Sequence, residues 1–125
     1  MQRKIILIGS LLGGLAVALG AFGAHAFKEL LIQNNRTDTY ELAVRYHFFH
    51  ALALLLIALL MDKVQSKWAN ASANCMLIGT LLFSGSLYIM ALANTTSVAL
   101  ITPFGGVFLL IGWGLLFYSA WRGER

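Results

Sequence analysis

The side chains whose types and spacing point to chemistry are few: His25, His47, His50, Ser84, Tyr88 and Thr102. An imidazole can accept, donate or relay a proton or bind a metal, and a hydroxyl can hold a proton or satisfy a backbone group. His47 and His50 are three apart and share one face of a helix; Ser84 and Tyr88 are four apart and share another. Metal ligation is disfavoured, because no carboxylate or cysteine lies near the histidine pair and only His25 could complete a set. Cys75 is the one cysteine, which rules out an intramolecular disulfide and any cysteine-based metal site within one chain. It is expected at a helix start. No Ser-His-Asp arrangement, phosphate loop or pair of intramembrane carboxylates can be read, so neither an enzymatic activity nor a cofactor nor a metal is expected.

The elements that carry these residues follow from composition. The chain has 125 residues, of which 59% are hydrophobic and 11% charged. That is too apolar to close as a water-soluble domain of this size, and it places the chain in a bilayer. A hydrocarbon core about 30 Å thick takes about 20 helical residues per crossing. The fold class is therefore all-α: one domain, an integral membrane bundle of four transmembrane helices. The nine Lys and Arg residues are scattered over loops and termini without a clustered basic face, so no nucleic-acid partner is expected.

The first span is expected at 5–27. The basic Arg3 and Lys4 before it, and Ala24-His25-Ala26 within it, have the outline of a secretory signal. The apolar run is longer than a signal requires, however, and no soluble domain follows, so a retained helix is expected. Gly9 and Gly13, then Gly20 and Ala24, repeat at four-residue spacing and form a smooth strip for close helix packing.

Between 28 and 45 the charges cancel. Gln33-Asn34-Asn35 reads as a turn, and Asp38 with Glu41 matches a helix start near Thr39.

The second span is expected at 42–61. Its uninterrupted apolar part, 51–61, is too short to cross alone and must draw in His47 and His50. Asp62 to Asn74 reads as a polar link and 76–93 as the third span, with Ser84 able to bond its own helix four residues back. Thr102-Pro103 reads as a capped helix start for a fourth span at 102–121, with Gly105 and Gly106 among its packing residues.

Counting Lys and Arg on alternate sides gives Arg3, Lys4, Lys63, Lys67, Arg122 and Arg125 against Lys28, Arg36 and Arg45. This bias predicts both termini in the cytoplasm. It also gathers His25, His47, His50, Tyr88 and Thr102 in the outer half of the bundle. A titratable group inside a membrane is costly and marks a site worth testing.

Several runs occur together in order: GAFGAH (Gly20–His25), HALAL (His50–Leu54), FSGSLY (Phe83–Tyr88), TPFGG (Thr102–Gly106) and Gly112-Trp113. In these the chain resembles the domain-of-unknown-function 423 family, which includes relatives of transmembrane protein 256. The resemblance implies a small multi-span protein of the cell membrane and brings no activity, substrate or catalytic residue. His25 and His50 fall on its motifs; His47 stands where many relatives are expected to carry glutamine.

Two functional classes remain. One is a non-enzymatic membrane component that packs against itself or another membrane protein through its glycine-rich faces, with the lipid bilayer as its surroundings. The other is a small transporter or proton-coupled carrier using the outer histidines. The discriminating observation is whether His25 and His50 meet around a cavity.

Overall fold

The computed structural model describes residues 1–123. Five helices follow in order: α1 (Gln2–Ala24), α2 (Lys28–Asn34), α3 (Thr37–Leu60), α4 (Ser66–Ala93) and α5 (Ile101–Trp121). Four of them, α1, α3, α4 and α5, are long and apolar enough to cross a membrane. The short α2 was not expected. Its Leu31 is buried against Tyr40 and Ala91, and Asn34 Nδ2 donates to the Ala91 carbonyl at 3.0 Å, which ties α2 across the ends of α3 and α4.

Helix boundaries differ from the expected ones for local reasons. His25 leaves helical geometry at φ −126°, ψ −79°, so α1 ends at Ala24 rather than Phe27. Asn35 adopts a left-handed conformation, φ 55°, which reverses the chain after α2. α3 begins at Thr37 with Arg36 as its flanking residue, and no side chain caps it. The expected polar link at 62–74 shrinks to a few residues, because α4 starts at Ser66 and buries Ala69, Ser72 and Ala73. Cys75 therefore lies within α4 rather than at its start. Arg125, one of the charges in the orientation count, lies outside the described residues.

The spans form a central antiparallel pair, α3 and α4, flanked by α1 against α3 and by α5 against α4. In the central helices 44% of the most apolar window is buried, against 22% in α1 and 17% in α5. Glycines set the spacing. Gly9 faces Leu55 and Ala51 on α3, and a Cβ on Gly23 would run into the Tyr40 ring. Between α4 and α5 three contacts fix one antiparallel register: Gly105 on the Phe83 backbone, Gly79 on Leu109, and Gly112 on Met76. Small residues at these points let backbones approach, which is what holds helices together in lipid, where burial against lipid tails gives no net drive.

Three of the expected packing residues, Ala24, Gly106 and Gly13, make no close approach. Ala24 is exposed, and the close contact belongs to its neighbour Gly23. Gly106 is only loosely apposed, since a Cβ there would meet Phe83 at 3.9 Å. Gly13 is similar, with Ala51 at 3.9 Å, while Gly20 would touch Val44 at 3.4 Å.

Candidate functional site

In a membrane interior every buried polar group needs a partner within the protein. α3 is about 36 Å long, and His47 and His50 lie near its middle. Both are buried, at 5% and 4% exposure.

His50 is tied on both sides. Its Nδ1 lies 2.8 Å from the Tyr46 carbonyl, one turn back on α3, and Trp113 Nε1 of α5 donates to its Nε2 at 3.0 Å. A carbonyl only accepts and an indole N–H only donates, so the ring must carry its proton on Nδ1 and be neutral. Tyr46 stacks on the same ring at 6.0 Å, and the Trp113 indole meets it edge-on at 5.9 Å.

His47 reaches a different neighbour, α4 rather than α5. Its Nδ1 shares a hydrogen bond of 2.9 Å with the Tyr88 hydroxyl of α4. The Leu12 carbonyl of α1 lies against this ring, but Nε2 makes no hydrogen bond among the described residues. At the same crossing of α3 and α4, Ser84 Oγ donates to the Ala43 carbonyl at 2.8 Å. Ser84 and Tyr88 do share a face, as their spacing predicted. Ser84 uses it to reach the neighbouring helix instead of bonding back to its own. Tyr40 donates to the Leu19 carbonyl of α1 and packs edge-on against Tyr88 at 5.3 Å, linking three helices.

Thr102 does not cap α5, whose flanking residue is Leu100. Its hydroxyl bonds that of Ser86 at 2.5 Å, and Ser86 also donates to the Phe83 carbonyl at 3.0 Å. This pair joins α4 to α5 beside the Gly105 contact.

His25 stands apart. It is exposed at the C-terminal end of α1, and its side chain makes no hydrogen bond among the described residues. The expected outer cluster therefore separates into three: His47 with Tyr88 and Ser84, His50 with Trp113, and Thr102 with Ser86. Sharing one half of the membrane did not bring His25 to His50. Among the described residues no three His, Cys, Asp or Glu side chains gather closely enough to hold a metal ion.

The residue missed from sequence is Trp113. A signal was present: tryptophans anchor at the membrane interface, whereas Trp113 lies in the middle of its span, where its N–H needs an acceptor. At the opposite end from α2, Ser72 donates to the Gly112 carbonyl at 2.5 Å and Ser119 to the Gln65 carbonyl at 2.6 Å. There Tyr118 packs edge-on to Trp68 at 5.3 Å, with Lys67 and Arg122 over the rings, which forms an interfacial belt.

Comparison with known proteins gives a consistent picture. The family described as a protein of unknown function, DUF423, matches residues 19–106. The chain is 39% identical over 120 residues to the UPF0382 membrane protein YwdK of Bacillus subtilis, covering 95% of this chain and 97% of that one. It is 38% identical to the UPF0382 inner membrane protein YgdD of Escherichia coli K12, covering 99% and 94%. To a UPF0382 membrane protein of Haemophilus influenzae it is 37% identical, covering 99% and 98%. No solved structure matches the chain.

Proposed function

The chain belongs to the DUF423 family, a family of small multi-pass cell-membrane proteins, and from that premise we propose a non-enzymatic role: a component that packs laterally against a second copy or another membrane protein. The observation that carries this reading is the open form of the helix row. The flanking helices α1 and α5 leave most of their apolar windows uncovered, and on α1 the small residues Ser10, Gly14 and Ala21 form an exposed strip. Nothing lies within 4 Å of a Cβ built on Gly14, so a helix backbone can approach there as closely as α3 approaches Gly9 on another face.

The polar interior supports the same reading. Both nitrogens of His50 are engaged within the protein, and His25 is remote from it, so a carrier built on that pair has no shared site to use. On this reading the membrane-buried polar groups set helix register, and both termini face the cytoplasm.

The test is the mass of the protein in lipid nanodiscs, measured for wild type and Gly14→Leu. The proposal expects an assembly heavier than one 13.7 kDa chain in the wild type, and its loss in the variant. A strictly monomeric wild type that also retains no membrane partner on mild solubilisation would refute it.

A further inference from the structure

Among the described residues Arg45 is the one Lys or Arg placed well inside a spanning helix. It stands eight residues into α3, about 12 Å from its start at Thr37. If the end of α3 at Leu60 and Asp62 marks one edge of a hydrocarbon core about 30 Å thick, the other edge falls near Leu42. Arg45 then lies about one turn below it, within reach of the headgroup layer through its long side chain. It is exposed, and it makes no ion pair or hydrogen bond with another described residue, even though Glu41 stands one turn before it. An unpaired guanidinium at this depth reaches the headgroup layer, where the anion at hand is a lipid phosphate.

Two cavities meet at this side chain. One, of about 320 Å³, opens between α1, α2 and α3 and presents Thr37, Glu41 and Arg45 beside Gly20 and Gly23. The other, of about 260 Å³, continues along α1 and α3 between Val17, Phe48 and Phe49. Gly20, Val44 and Arg45 line both, so they form one groove with a polar mouth and an apolar leg.

The order of charges along the groove is informative. Glu41 lies about 6 Å nearer the membrane surface than Arg45. In a phospholipid whose headgroup ends in an amine, the ammonium lies outermost, the phosphate beneath it and the acyl chains below. The groove matches that order with a carboxylate, a guanidinium and then aromatic and aliphatic walls. We propose that the α1–α3 groove is a binding site for one phosphatidylethanolamine molecule, its ammonium on Glu41, its phosphate on Arg45 and an acyl chain against Val17, Phe48 and Phe49. An anionic lipid without an amine would leave Glu41 facing a phosphate, and a choline headgroup offers Glu41 no N–H to accept.

The proposal is independent of lateral packing and is tested on the whole protein by native mass spectrometry in detergent. Dioleoylphosphatidylethanolamine, dioleoylphosphatidylcholine and dioleoylphosphatidylglycerol serve as probes. Wild type is expected to retain one phosphatidylethanolamine about tenfold more tightly than either of the others, the worth of one charge-assisted hydrogen bond. Glu41→Gln is expected to abolish that preference. Arg45→Gln is expected to weaken all three lipids about tenfold, while Arg122→Gln, at the opposite end of the bundle, changes nothing. Equal retention of the three lipids by wild type overturns the proposal and requires no variant to fold. So does a preference that survives Glu41→Gln, or binding by Arg45→Gln equal to that of wild type.

Discussion

Replacing Gly105 by alanine adds one methyl group at the tightest point between α4 and α5. The new Cβ would fall on the Phe83 backbone nitrogen and lie 2.8 Å from its Cα and 2.9 Å from its Cβ. Main-chain atoms of a helix cannot rotate away as the end of a side chain can, so the two helices must separate. Overpacking of this kind costs about 1–3 kcal/mol. Alanine also regains about 1 kcal/mol of helix propensity over glycine, which would mask part of the loss. Gly85 supplies the correction, since it sits on α4 with nothing within 4 Å of its would-be Cβ. The propensity gain is common to both substitutions, so the difference in stability between Gly105→Ala and Gly85→Ala isolates the packing cost. Reversible unfolding in mixed detergent micelles should place Gly105→Ala below Gly85→Ala by about 1–3 kcal/mol. Equal stability of the two variants would refute the close α4–α5 register, and with it the assignment of Gly79, Gly105 and Gly112 as spacing residues.

Three further outcomes follow from the polar contacts. Trp113→Phe leaves His50 Nε2 buried without a donor and should cost about 1–3 kcal/mol, whereas Trp113→Phe combined with His50→Phe should recover much of that loss, because both partners are then gone; unfolding of the two variants decides it. Nitrogen-15 NMR of labelled histidine should report His50 as the neutral Nδ1–H form at pH 7, as its two partners dictate. His25→Ala should leave stability within about 0.5 kcal/mol of wild type, since this side chain is exposed and unbonded.

How much of this was legible in the sequence depends on the range of the interaction. The four crossings follow from hydropathy over about 20 residues and were read in the right order. α2 escaped because seven residues carrying Lys28, Glu29 and Gln33 look like a loop until Leu31 is seen packed under Tyr40. The first turns of α4 escaped for a related reason. Ser66, Ser72 and Asn70 read as a polar link, yet Ser72 serves the Gly112 carbonyl and the alanines beside it are buried.

Local spacing correctly put Ser84 and Tyr88 on one face, but it could not say which helix they would meet. The contact between Trp113 and His50 joins residues 63 apart, so the mid-span position of the tryptophan signals that it needs an acceptor without saying which one it meets. Membrane sidedness gathered His25 with the other histidines only because it orders residues by depth. Lateral position, which decides contact, comes from helix packing.

The account rests most heavily on the exposed strip of α1 as a packing face. Its most direct test is photo-crosslinking in native membranes, with benzoylphenylalanine placed at Leu7, an already bulky position of 61% exposure about two turns before Gly14 on the same face of α1, and, as a control, at Leu81, a lipid-exposed position on α4 with 58% exposure. The account predicts a discrete adduct at Leu7, at roughly twice 13.7 kDa or at the mass of a distinct membrane partner added to it, and no discrete protein adduct at Leu81. No more crosslinking at Leu7 than at Leu81 would contradict it.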